Sequence, residues 1–368
     1  MEQMRDGKIK FRGLGPLRLA VGAGALAVVA FCYLARGNAA LMAWLCRAVS
    51  RPWHGFMSRL CAAVPFSVAE VIYALTAGFV VVYIIRAIIL LITQENKGKR
   101  VYITLLTLAM TASLFWAGFS LLWSPCYYAP SFTEQSGVSD GPISAEALAE
   151  VTERFAAAAN EYGALVERGE DGVFAPNRES VLDRAAGVFD GASALFGFLD
   201  GAPLRPKPIL CSGVMSMMNF TGFFFPMTGE ANLNMSSPAC MLPATAEHEL
   251  SHQRGIAAEQ ECNFIAILAC AESHDADFAY SGALLAYVYL GNALYSADKP
   301  AWEAVYATLS DNVRRDLAAN SKYWEKYNDT AVRKVSDKVY EAFLQDNGQT
   351  LGLKSYGACV DLLVNYYA

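Results

Sequence analysis

Residues 244–270, ATAEHELSHQRGIAAEQECNFIAILAC, hold two of the chain's four histidines, with a carboxylate between them. On a helix, residues four apart share a face, so His248 and His252 can grip one metal ion from the same side. Glu249 then lies ~100° round the helix, within reach of a water at that ion. This is the HExxH arrangement in which two imidazoles bind Zn2+ and the glutamate acts as general base for hydrolysis. The bland alternative is a charged surface helix, but Gly255, an acidic residue and an apolar second helix are all in place after it. Gly255 suits a helix end, because glycine readily adopts the left-handed conformation used there.

A catalytic zinc takes three protein ligands and leaves a fourth position open. Glu259 and Glu261 are the candidates for the third, and two residues apart on a helix they point to nearly opposite sides. Asn263 lies four residues after Glu259, on its face, where its amide could orient a ligand or a ligating histidine. That favours Glu259 and leaves Glu261 as the alternative ligand.

Two further groups are candidates. The aromatic stretch 219–235, NFTGFFFPMTGEANLNM, reads as a β-hairpin. An exposed edge beside the zinc helix could take an extended peptide as an added strand, with Glu230 at the cleft rim. Otherwise its phenylalanines fill the core. Tyr280 could donate its hydroxyl to an oxyanion, or pack as a core tyrosine.

The elements that must position these groups begin in a membrane. The chain has 368 residues, of which 54% are hydrophobic and only 17% charged, against ~25% charged in soluble domains. Three apolar segments, about 19–35, 71–93 and 101–123, approach or exceed the ~20 residues that span a bilayer. The basic flank of the first would also suit a secretory signal. Arg5, Lys8, Lys10, Arg12 and Arg18, together with Lys97, Lys99 and Arg100, put the N-terminus and the second loop in the cytoplasm. The C-terminal domain is then extracytoplasmic. The loop between the first two spans carries arginines without acids, and about 39–62 reads as an amphipathic segment lying in the interface, interrupted at Pro52.

Residues 1–123 thus form a membrane domain, 124–142 a linker rich in turn formers, and 143–368 one further domain. Helices are expected at about 144–168, 178–199, 244–254, 258–272, 280–296, 300–318, 330–346 and 353–367. The fold class is mainly α. Nine cysteines without a CxxC pair define no metal site; a disulfide among Cys126, Cys211, Cys240 and Cys359 would suit an external compartment. No nucleotide-binding glycine loop or basic nucleic-acid stripe occurs, so nucleic acid is not an expected partner.

The pattern His248-Glu249-x-x-His252 with Glu259-x-x-Cys262-Asn263 resembles the HExxH plus ExxAN-type signature of gluzincin-type membrane peptidases, CAAX-prenyl-protease-like enzymes among them. In those families the glutamate opening the second motif is the third zinc ligand, which maps onto Glu259. Six residues separate His252 from Glu259, fewer than in those enzymes, which leaves Glu261 open. Over nearly the whole chain, VPFSVAEVIY, TGFFFPMTGEANLN, HELSHQRGIAAEQECNFIA, YSGALLAYVYLGNAL and NGQTLGLKSYGACVDLLVNYY resemble the bacterial membrane proteins catalogued as DUF3810. The resemblance implies three N-terminal spans and this zinc signature, and the expected C-terminal domain is mostly helical and zincin-like, with the small sheet read at 219–235 beside the HExxH helix.

The expected function is zinc-dependent hydrolysis of peptide bonds at a bacterial cell membrane, with one Zn2+ per chain. Its partners would be the bilayer and a peptide or protein substrate. The alternative is an envelope or sensor protein in which zinc braces the fold without catalysis.

Overall fold

A computed structural model describes residues 14–93, 96–201, 204–349 and 356–368. Arg5, Lys8, Lys10 and Arg12, on which the expected orientation partly rests, lie outside the described residues, as do the first three residues of the last expected helix.

Among the described residues three helices are long and apolar enough to cross a membrane: α1 (Leu14–Ala35), α4 (Val68–Thr93) and α5 (Lys97–Leu122). Between the first two run α2 (Ala39–Leu45), a π-helical turn (Cys46–Ser50) and α3 (Arg51–Cys61). Pro52 sits in the first turn of α3, where its missing N–H costs no helical bond. It therefore does not interrupt the segment; the irregularity is the π turn before it. The amphipathic character is inverted relative to a soluble helix. Ser50, His54 and Ser58 are buried, whereas Trp44, Trp53, Phe56 and Leu60 are exposed. A helix lying in a bilayer interface keeps such a face toward the lipid. The polar face docks on the end of α5, with Ser50 Oγ donating to Leu121 O (3.3 Å) and a His54 ring nitrogen to Leu122 O (3.0 Å).

The chain after α5 does not behave as the expected linker. It forms α6 (Ser124–Tyr127) and α7 (Phe132–Ser136), the latter opened by a Ser131/Glu134 capping box. Trp123, Cys126 and Phe132 are buried, so apolar burial overrides the turn formers that suggested a linker.

The remainder is mainly helical: α8 (Ala145–Gly163), α9 (Arg178–Val188), α10 (Asp190–Leu195), α11 (Ser212–Met217), α12 (Leu242–Gln253), α13 (Glu259–Ala271), α14 (Ala276–Ala297), α15 (Lys299–Thr308), α16 (Asp311–Glu325), α17 (Ala331–Asp346) and α18 (Tyr356–Tyr367). The helix expected over 300–318 is two helices, because the Ser310 side chain caps a new one at Val313 N. At the centre, α13 is buried on every side from Phe264 to Cys270, which explains its unbroken apolar run.

The expected hairpin is present as β2 (Gly222–Phe225) and β3 (Glu230–Leu233), joined by β1 (Lys207–Pro208) in the order β1-β3-β2. β2 pairs antiparallel with β3, Gly222 opposite Leu233 and Phe225 opposite Glu230. The hairpin is wedged between α12 and the membrane helices. Phe225 packs on Tyr73 of α4 and Phe115 of α5, and Met227 lies against Gly118.

Candidate metal centre

The two histidines lie on α12, and the end of that helix shapes the candidate site. Gly255, at φ +86, reverses the chain. Gly255 N donates to His252 O (2.9 Å) and Ile256 N to Ser251 O (3.3 Å), the paired bonds of a Schellman cap. This turn delivers two things. The Ile256 carbonyl folds back to accept from His252 Nδ1 at 2.8 Å, and α13 starts with Glu259 facing the histidines.

His248, His252 and Glu259 each bring one ligand atom within 4.8 Å of the others. His248 Nε2 is 3.2 Å from Glu259 Oε2, and His252 Nε2 is 3.6 Å from Glu259 Oε1. Both Nδ1 atoms are occupied outside the cluster, His248 Nδ1 by Asn263 Oδ1 at 2.9 Å. Each imidazole therefore turns Nε2 inward, in the tautomer a metal ligand requires. Asn263 thus holds the ring of His248, one of the two candidate histidine ligands.

The electrostatics favour a cation at this point. Burial holds His252 down to about 4, so it is neutral. Burial also opposes charge on His248, but the Glu259 carboxylate outweighs it and raises His248 to about 9. Glu259 is itself kept at about 2 against burial, by His252, by His248 and by the Tyr340 hydroxyl. In the metal-free cluster a proton on His248 answers the Glu259 carboxylate; zinc, by displacing that proton, would meet two neutral nitrogens and one carboxylate, a set that fits it.

Glu249 is buried, and desolvation pushes it up to about 8; a divalent ion at the adjacent cluster would lower it again to the carboxylate a base requires. Among the described residues its Oε2 has no hydrogen-bond partner, which is costly for a buried oxygen. Gly222 of β2 makes the room: a Cβ there would lie 2.6 Å from Glu249 Oε1 and 2.9 Å from Asn232 O.

The alternative ligand and two other candidates are placed elsewhere. Glu261 Oε1 accepts from Phe132 N at 2.8 Å, at the start of α7, and does not face the histidines. Glu230 is not at a cleft rim. It is buried, and its two oxygens accept from Val68 N (3.1 Å) and Ala69 N (2.9 Å), capping the second span. The positive end of that helix is what draws a carboxylate there. Tyr280 donates to Asp316 Oδ2 at 2.5 Å, in a buried network with Arg168. Its hydroxyl is thus committed away from the site, the packed role weighed for it.

Four neighbours went unrecognised in the sequence. Tyr340 of α17 donates to Glu259 Oε1 at 2.6 Å. Trp123, the residue after the third span, packs edge-on to His252 with centroids 5.6 Å apart. The Tyr127 hydroxyl is held protonated by burial and by the nearby Glu259 charge. Gly222 is the fourth. Only Gly222, a glycine inside an aromatic strand, carries a local signal for close approach.

A family model described as "Protein of unknown function (DUF3810)" matches residues 47–364. No curated protein matches the chain, and no solved structure matches it.

Proposed function

The chain belongs to the DUF3810 family, and we propose that it is a membrane-anchored zinc metallopeptidase with Glu249 as its general base. One observation carries this reading: His248, His252 and Glu259 converge within 4.8 Å, beside a buried Glu249 oxygen that has no partner among the described residues. A zinc that only braces a fold has four protein ligands, whereas the three found among the described residues leave a position open. Bound zinc would supply Lewis acidity, polarising the peptide carbonyl and acidifying the attacking water.

The chain's own groups do the remainder. Asn263 and the Ile256 carbonyl hold the two imidazoles in register. Glu249 takes a proton from the attacking water and returns it to the departing amine nitrogen. Approach is from the side of His248 and Glu259, whose side chains are 15% and 19% exposed. In the sheet, β2 is an edge strand, and its Gly222 end lies against Glu249. An extended peptide would pair there by strand addition. Trp123 joins the site to the end of the third span, so the peptide cut is one presented at the bilayer surface. Lys97, Lys99 and Arg100 at the opposite end favour the cytoplasm, which makes the zinc-bearing domain extracytoplasmic.

The second reading, a zinc-braced envelope or sensor protein, draws on one fact: Glu249 is only 3% exposed. Hydrolysis of unfolded casein by the full chain in detergent separates the two. A peptidase cleaves it and loses cleavage, but not zinc, in E249Q; equal cleavage by wild type and E249Q would remove Glu249 from the mechanism.

A further inference from the structure

Two thiols that belong to neither the metal centre nor its supports face each other beside it. Cys46 opens the π-helical turn between the first two spans, and Cys126 lies in α6, just after the third. Both are buried, and their sulfurs are 3.0 Å apart. That is about 1 Å more than the ~2.05 Å of a covalent S–S bond. Three spans put the first loop and everything after the third span on one side of the bilayer, so the two thiols share a compartment.

The surroundings are reactive and consequential. The Cys126 thiol, hydrogen-bonded to Cys46, stabilises a thiolate there against burial, helped by Arg51 and Arg47, while burial holds Cys126 protonated. Such a pair has an attacking and a resolving partner. Cys46 also touches the metal centre's frame. Its sulfur is 4.0 Å from Gly255 O, in the turn that sets Glu259 against the histidines. Cys126 follows Trp123, which packs on His252. The joint is held by apolar packing around Cys46, Trp123 and Cys126, by the His54 ring on Trp123, and by hydrogen bonds, those of Ser50 and His54 to the last carbonyls of α5 among them.

We propose that Cys46 and Cys126 are joined by a disulfide that fastens the interfacial segment to the frame of the metal centre. The oxidant is a protein or small-molecule disulfide of the same compartment. The Cys46 thiolate attacks one of its sulfurs and releases one thiol, leaving a mixed disulfide on Cys46. Cys126, losing its proton, attacks the Cys46 sulfur and releases the second thiol. Two thiols of the chain are oxidised, one external disulfide is reduced to two thiols, and the charges balance. The bond closes a loop of 80 residues that contains the second and third spans; long closures of this kind restrict the unfolded chain most.

The test uses the full chain from membranes, quenched in acid, denatured, alkylated without reduction and digested for mass spectrometry. The expected result is one linked species carrying Cys46 and Cys126 that separates on reduction, with seven of the nine cysteines alkylated. C46S should then leave Cys126 open to alkylation. Recovery of Cys46 and Cys126 both alkylated before reduction would overturn the proposal. In detergent, the reductant TCEP should lower the melting temperature of wild type by several degrees and leave C46S/C126S unmoved; an unchanged wild type would overturn the fastening role. Neither readout depends on zinc or on peptide hydrolysis.

Discussion

The Tyr340 hydroxyl donates a 2.6 Å hydrogen bond to Glu259 Oε1, the oxygen that faces His252. A phenol on a ligand carboxylate limits its rotation and steadies its charge. Tyr340→Phe is therefore expected to weaken zinc binding roughly tenfold to a hundredfold without unfolding the chain. Competition against a chelator of known affinity measures this, and an unchanged affinity would reduce Tyr340 to packing.

Gly222 and Glu249 are in contact through the missing side chain. A methyl group at position 222 would press on Glu249 Oε1 and on the Asn232 carbonyl, 2.6 and 2.9 Å away. Gly222→Ala should cost about 1–3 kcal/mol of stability and displace the carboxylate, so that casein hydrolysis falls further than the folded fraction does. Activity that tracks only the folded fraction would count against this contact.

Glu230 ties the sheet to the second span. Glu230→Ala removes two charge-assisted bonds from the first turn of α4, an expected loss of about 2–4 kcal/mol. Thermal unfolding of the full chain in detergent reports the loss, while zinc per folded chain should stay unchanged. Loss of zinc with stability intact would return Glu230 to the metal centre.

His54 gives the fold an acid limit. Burial holds it down to about 3, against 6.5 for an exposed histidine. Between those values the unfolded chain takes up a proton that the folded chain refuses, so stability is lost as pH falls below about 6.5, by about 1.4 kcal/mol per pH unit at most. His54→Gln, which does not titrate, should show a shallower decline from pH 7 to pH 4 than wild type. Parallel declines would show that the imidazole is not the group responsible.

How much of this was readable in the sequence depends on the range of the interaction. His248, His252, Gly255, Glu259 and Asn263 act through helix spacing and one turn, and local periodicity exposes such relations. The apolar spans and the 222–233 hairpin were readable for the same reason. Tyr340 meets Glu259 across 81 residues, and Glu230 meets the second span across 161 or more. Nothing local in either residue announces its partner. Residues 124–136 of the expected 124–142 linker were misread because their serines and prolines suggest turns, while the burial of Cys126 and Phe132 arises only once distant parts of the chain are in place. The two candidate carboxylates after the turn, Glu259 and Glu261, separated only when Phe132 N was seen to take the second.

The most direct measurement is zinc content by elemental analysis on the full chain in detergent, for wild type, H252A, E259Q and E261Q. The account predicts about one zinc per folded wild-type chain, loss in H252A and E259Q, and retention in E261Q, whose amide oxygen can still accept from Phe132 N. Folded wild type without zinc, or zinc kept in E259Q and lost in E261Q, would contradict it.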